Sequence, residues 1–248
     1  MIVLTQYNII PLISFLLYGI ILVILLTSNK TKLSKAFSVY VIAMLIWSLG
    51  SFLMKTDVPP SSFFWDKILL IGLTSVPVFL LRFSYILTDD YSNRPIVRIG
   101  YVLSVFYIIL GFTGNFLSSA TYDSATQTFD YTLAWGAYAF AVTGSAYSIL
   151  ALGIMIKKTY TKEVPLKKVG LVIVGLFLVV LGGALNLNNT IGKFGVDIIF
   201  NLINALLVTY AIYRNKFLEI NLVVKRGISV SLYNIILFAI FAFLVLTS

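Results

Sequence analysis

The chain has 248 residues, of which 60% are hydrophobic and only 11% charged, with a mean hydropathy of +1.00. This composition excludes a soluble domain, because a folded chain of this length cannot hide so much apolar surface from water. The net charge of +9 lies beside the apolar segments, where it faces anionic lipid, so membrane lipids are the expected partners and nucleic acid is not. The chain has no Cys and no His, which excludes disulfides, thiolate metal sites, the usual haem ligation and a phosphoaccepting imidazole. We therefore expect no metal and no cofactor.

Eight apolar segments of 18 to 24 residues follow one another along the chain, at 9–27, 36–54, 68–87, 99–117, 133–156, 169–187, 196–213 and 228–246. A helix needs about 20 residues to cross the hydrocarbon core of a bilayer. The segments do not alternate apolar with polar residues, as the strands of a membrane β-barrel do. The sequence predicts an all-α, polytopic transmembrane bundle, with a seven-helix receptor-like core at 1–220 and a basic juxtamembrane stretch plus an eighth helix at 221–248.

Lys and Arg crowd into every second loop of this bundle. Fourteen of the eighteen follow the first, third, fifth and seventh segments, three (Lys55, Lys67 and Lys193) lie at the opposite ends, and Arg82 lies within the third segment. Because basic residues are retained on the cytoplasmic side, this asymmetry predicts a multi-pass protein of the plasma membrane with its N-terminus outside.

The longest outer connection, 113–132, contains no Lys or Arg and alternates Tyr, Thr and Phe with polar residues. Alternation of this kind predicts a small β-hairpin. Two interpretations stay open for it, a passive polar connection or a lid over an outward pocket.

Polar side chains form a stripe on the seventh segment. Asp197, Asn201 and Asn204 are spaced by four and three residues and therefore share one helical face. Asn186 and Asn188 lie near the outer end of the sixth segment, so the five residues outline a ligand pocket that opens outward. The alternative is purely structural, with Asp197 favoured by the helix dipole and the Asn side chains holding helices together.

The third segment contains Arg82 and, five residues earlier, Pro77. Arg82 either extends its long side chain to the membrane surface or forms a buried ion pair or hydrogen-bond hub that changes partner during signalling. Because Pro77 interrupts the helical hydrogen bonding, the two residues together are a candidate conformational pivot.

Small residues line one side of the fifth segment, at Ala137, Ala141, Ser145 and Ser148, and Gly182 and Gly183 follow in the sixth. Such spacings predict close approach of neighbouring helices.

Several functional classes fail on the residues present. A retinal protein needs a Lys in the middle of the seventh segment, where there is none, and coupled transport would have too few titratable groups within the membrane, with Asp197 as the one candidate acid. We expect no catalysis in this chain. A receptor or sensor bundle remains, with a small permease or lipid-handling protein as the alternative.

Trp65 precedes the third segment, which carries Gly72, Pro77 and Phe83 in order, and the stretch YAIYRNKFLEI at 210–220 forms the exit from the seventh. Across residues 9–220 these features resemble the N-terminal seven-transmembrane sensor region of bacterial and archaeal histidine kinases. The resemblance implies an input domain of two-component signalling that binds a small-molecule or lipid signal, passes a conformational change to a cytoplasmic output, and acts as a homodimer.

The chain departs from this pattern in two ways. No Pro follows the exit motif, where Asn221 and Leu222 stand, and there is no His for a kinase module. Two possibilities stay open, a fragment of a longer kinase or a stand-alone relative of the sensor.

Overall fold

A computed structural model describes residues 4–5, 7–28, 31–56, 58–90, 94–123, 125–126, 128–186 and 188–214. The eighth apolar segment at 228–246 and the exit residues from 215 onward lie outside this part of the chain. The predicted all-α membrane bundle is confirmed, because the described residues contain seven helices that are long and apolar enough to cross a membrane.

These spans, with one short helix and two strands between them, are, in chain order, α1 (Ile9–Thr27), α2 (Lys32–Met54), α3 (Ser62–Leu87), α4 (Arg94–Phe112), β1 (Leu117–Asp123), β2 (Thr128–Leu133), α5 (Trp135–Tyr160), α6 (Leu166–Asn186), α7 (Asn189–Gly192) and α8 (Val196–Arg214). The seventh apolar segment of the sequence is therefore α8, since α7 is a single turn. Side-chain caps begin two of the spans: Thr31 accepts a hydrogen bond from the Ser34 amide, and Ser61 accepts one from the Phe64 amide.

The central helices of the bundle are α2 and α3. In their most apolar stretches 67% and 61% of residues are buried, against 28% for α4 and 22% for α5. Large aromatic side chains, including Tyr18, Phe37, Tyr40 and Phe83, fill the core around α2. Most side chains of α4 and α5 are not buried, and they form an apolar surface suited to lipid. The fraction of buried residues therefore distinguishes the inner helices from the peripheral ones.

The predicted hairpin is confirmed. Strands β1 and β2 pair antiparallel, with an irregularity in the register between Leu117 and Ser119. Its turn is fastened by Asp123, whose carboxylate accepts hydrogen bonds from the Ala125 amide and the Thr126 hydroxyl, and these bonds lower the pKa of Asp123. One face of the hairpin is buried against the bundle, where Phe129 is only 1% exposed.

Candidate functional site

A cavity of about 190 Å³ lies inside the bundle beneath the hairpin. Its walls come from α2, α3, α5, α6 and α8, and Leu117, Phe129, Tyr131 and Leu133 of the hairpin border it directly. The hairpin is therefore part of the cavity wall and more than a passive connection. Of the two interpretations drawn from the sequence, this geometry favours a lid over a passive connection.

The small side chains of α5 face this cavity. Ala137, Ala141, Ser145 and Ser148 all border it, and their shortness leaves the space open. Close helix contact was predicted for the small residues of both segments, and it is found at Gly182 of α6, where this helix meets α8. A Cβ atom on Gly182 would lie 2.9 Å from Phe200. The small residues of α5 thus leave space for the cavity, whereas Gly182 of α6 allows close contact with α8.

One polar end of the cavity is formed by Lys55 and Asp197. Both side chains are buried, and the Lys55 ammonium donates a hydrogen bond to the backbone carbonyl of Lys193 at 2.9 Å. Burial lowers the pKa of Lys55 to about 8, and the opposing negative charge of Asp197 limits this shift. The Asp197 carboxylate accepts a hydrogen bond from the Ile198 amide at 2.8 Å. A buried cation and a buried carboxylate therefore act on each other at this end.

A second carboxylate, Asp66 of α3, borders the cavity separately. It is 4% exposed, and among the described residues its Oδ2 atom has no hydrogen-bond partner. The neighbouring Lys67 points elsewhere, with its ammonium over the rings of Phe63 and Phe112 at 5.0 and 5.7 Å from their centroids. Sequence reasoning missed Asp66 and counted Lys55 only as a loop charge. The available signal was an acid close to the start of an apolar segment on the side poor in basic residues.

The predicted polar stripe on α8 is buried along its whole length. Asn201 donates to the backbone carbonyl of Asp197 at 2.9 Å, and the Tyr40 hydroxyl of α2 donates to Asn201 Oδ1 at 3.3 Å. Asn204 in turn donates to the Tyr40 hydroxyl at 3.0 Å. Asp197 and Asn201 border the cavity, whereas Asn204 lies deeper, against Gly175 of α6. Features of both interpretations occur together, since the stripe reaches the cavity and also joins helices.

The two Asn residues predicted at the end of α6 separate. Asn186 is half-buried and borders the cavity. Asn188 does not border it, which corrects the prediction: the chain has left α6 after Asn186, the side chain is exposed, and its Oδ1 atom accepts from the Ile191 amide at the start of α7.

The two residues of the candidate pivot lie in different surroundings. Pro77 is buried within α3 and borders the cavity. Arg82 is exposed, and its guanidinium donates to the Tyr101 hydroxyl at 3.3 Å. Because Arg82 is exposed, it forms no buried ion pair with the described residues, and the role of Arg82 and Pro77 as a pivot stays a prediction.

Contacts with the α6–α8 connection hold the hairpin in place. Asp130 forms an ion pair with Lys193, and Tyr131 packs over Gly192, where a Cβ atom would lie 2.5 Å from the phenol oxygen. Burial, with the negative charge of Asp197, raises the pKa of Tyr131 to about 12, so this phenol is neutral at physiological pH. We call these two contacts, Asp130–Lys193 and Tyr131–Gly192, the latch.

Within the described part of the chain, no three acidic side chains are grouped to hold a metal ion. The arrangement is suited to reversible binding: an apolar cavity with a few fixed polar groups beneath a fastened hairpin.

Comparison with known proteins identifies a family for the chain. No curated protein and no solved structure matches the chain. Residues 10–221 match the family model described as the N-terminal 7TM region of histidine kinase, and the chain therefore belongs to this family of membrane sensor regions.

Proposed function

We propose that this chain is the signal-binding input domain of a two-component histidine kinase, and that its signal occupies the cavity beneath the hairpin. A region of this family is not catalytic by itself. Its work is to convert occupancy of the cavity into a shift of helix arrangement that a cytoplasmic kinase module senses. The signal is a small molecule or a lipid-derived compound that fits the cavity.

The hydrogen-bonded series of Asp197, Asn201, Tyr40 and Asn204 carries this proposal. It begins at the cavity and runs down α8 while touching α2, so a ligand that displaces Asp197 or Asn201 alters the contact between these helices. From α8 the shift passes to the basic stretch that runs to Arg226 in the sequence, beyond the described residues. A bundle with two such arrangements responds to any ligand that prefers one of them.

The charge asymmetry of the loops supports an orientation in which the N-terminus and the hairpin face outward across the plasma membrane. The cavity then opens toward external signals, and α8 ends in the cytoplasm. We propose further that two copies act together, as the resemblance to kinase sensor regions implies.

Replacing Asp197, Asn201 and Asn204 together by Ala tests this function. Coupling free energies between sites usually correspond to about 5- to 150-fold. The measurement is phosphoryl transfer by the whole kinase in membrane vesicles, with and without signal. The change that the signal causes should be at least about fivefold smaller in the triple variant than in the unsubstituted protein. Asn115→Ala, an exposed Asn outside the cavity, is the control. An unchanged response in the triple variant would show that the stripe does not transmit.

The permease alternative predicts solute flux through liposomes that contain only this chain. We expect no flux above that of empty liposomes, because a sensor binds its ligand without carrying it across.

A further inference from the structure

We propose that the cavity selects a small apolar molecule carrying one protonated amine, with Asp66 as its counter-ion. This proposal deepens the proposed function, since it names the chemical class of ligand for the same cavity. It depends on the charge balance, the unpartnered oxygen and the aromatic walls of the cavity.

The ionisable side chains that border the cavity include one more carboxyl group than amine. Three side chains with ionisable acid or amine groups border the cavity, Lys55, Asp66 and Asp197, and the charges of Lys55 and Asp197 act on each other. No Lys or Arg of the described chain forms an ion pair with Asp66. Among the described side chains that border the cavity, one carboxyl group is therefore left without a basic partner there, and a cationic ligand would stabilise its ionised form.

The hydrogen bonding of Asp66 points to a donor. A buried oxygen without a partner costs free energy, and a charge-assisted bond from an ammonium N–H removes that cost. Lys55, the only amine among the described residues that border the cavity, donates one hydrogen bond to the Lys193 carbonyl. The positive charge of Lys55 is already opposed by Asp197, so an anionic ligand would gain little from it and would be repelled by the carboxylate of Asp66.

The walls suit the remainder of such a molecule. Five aromatic side chains border the cavity, namely Trp47, Phe116, Phe129, Tyr131 and Phe140. Aromatic faces attract ammonium groups and also take up apolar rings. A dry apolar cavity of about 150 Å³ holds benzene. The present cavity, at about 190 Å³, is of the size for one ring with a short amine-bearing tail.

The test uses the whole chain in detergent micelles at pH 7 and three size-matched probes, 2-phenylethylamine, 2-phenylethanol and 3-phenylpropanoate. Apparent Kd is taken from the rise of Tm with probe concentration. We expect the amine to bind at least about tenfold more tightly than the alcohol, and the carboxylate to bind most weakly. Asp66→Asn should abolish the tenfold preference for the amine, whereas Asp89→Asn, at an exposed position just after the end of α3 and outside the cavity, should keep it.

Three results overturn the proposal: equal binding of amine and alcohol to the unsubstituted chain, preference for the carboxylate, or no shift of Tm with any probe. Because these comparisons use the unsubstituted chain, they decide the matter even if Asp66→Asn does not fold. Amine selectivity that persists in a folded Asp66→Asn variant also overturns it. The signalling assay of the triple Ala variant is independent, so failure of the proposed function is seen separately.

Discussion

Lys55 is a buried residue whose charged form is destabilised by burial. Its pKa falls from an ordinary 10.5 to about 8 on folding, chiefly because burial penalises the ammonium, with Asp197 compensating in part. The folded state therefore binds the proton more weakly than the unfolded state does. The resulting loss of stability is fully present below pH 8 and disappears as the pH rises toward 10.5.

We accordingly predict that the free energy of unfolding in micelles, measured relative to a Lys55→Met variant, rises by about 3 kcal/mol between pH 7 and pH 10.5. The comparison removes titrations shared by both proteins, including the tyrosines. Reversible denaturation at a series of pH values measures it. Parallel curves for the two proteins would mean that Lys55 is not penalised in the fold.

Residue-level prediction from sequence succeeded where one helix determined the result. The four-and-three spacing of Asp197, Asn201 and Asn204 was enough to place them on one buried face. It failed for Asp66 and Lys55, because their burial depends on the hairpin and on the α6–α8 connection, which come much later in the chain. Local periodicity carries no information about such covering elements.

At the scale of elements, the contact of α6 with α8 depends on Gly175. A Cβ atom there would lie 2.3 Å from Asn204 Oδ1 and 3.1 Å from its Cα. Gly175→Ala should therefore separate the helices and lower the free energy of unfolding by about 1–3 kcal/mol. Denaturation in micelles measures this loss. Gly153→Ala is the matched control, since nothing lies within 4 Å of its added Cβ. Equal stabilities of the two variants would contradict the tight contact.

The latch makes a second prediction for elements. Gly192→Ala puts a methyl group 2.5 Å from the Tyr131 phenol oxygen and 2.8 Å from the Asn186 backbone carbonyl. This crowding pushes the hairpin and the end of α6 away from the connection between α6 and α8. We expect amides of β2 to exchange hydrogen at least about tenfold faster, as for a loss of about 1.4 kcal/mol in local stability. Mass-spectrometric hydrogen exchange reports it, with Gly153→Ala as control. Unchanged exchange would mean that the latch does not hold the hairpin.

Element types were predictable from apolar length and from the alternation in the hairpin. The single-turn helix α7 was not, because four residues give no periodic signal. That omission also misplaced Asn188, which supports the start of α7 instead of the cavity.

At the scale of the whole molecule, the sequence predicts the number and order of spans because lipid imposes a length on each of them. Which spans are central does not follow, since, apart from the polar stripe on α8, the segments are apolar around most of their circumference and packing decides between neighbours. The cavity is likewise a property of the assembled helices. The small residues of α5 predicted a packing surface from sequence. They border a cavity instead, because the opposite wall is formed by the hairpin and α3, which lie elsewhere in the chain.

The central claim is that filling the cavity moves α8. Ala141→Phe fills it from α5, while Val142→Phe adds the same side chain on the outward surface, where Val142 is 72% exposed. Because the chain has no Cys, spin labels introduced by Tyr160→Cys and Tyr210→Cys are unique, and they report the spacing of α5 and α8 away from the hairpin.

Electron–electron double resonance on these labelled proteins in nanodiscs is the most direct measurement. We predict that Ala141→Phe shifts the main distance between the labels by about 2 Å or more, as helix displacements in switching proteins do, and that Val142→Phe leaves it unchanged. Superimposable distance distributions for the two variants would contradict the claim that occupancy of the cavity is transmitted through α8.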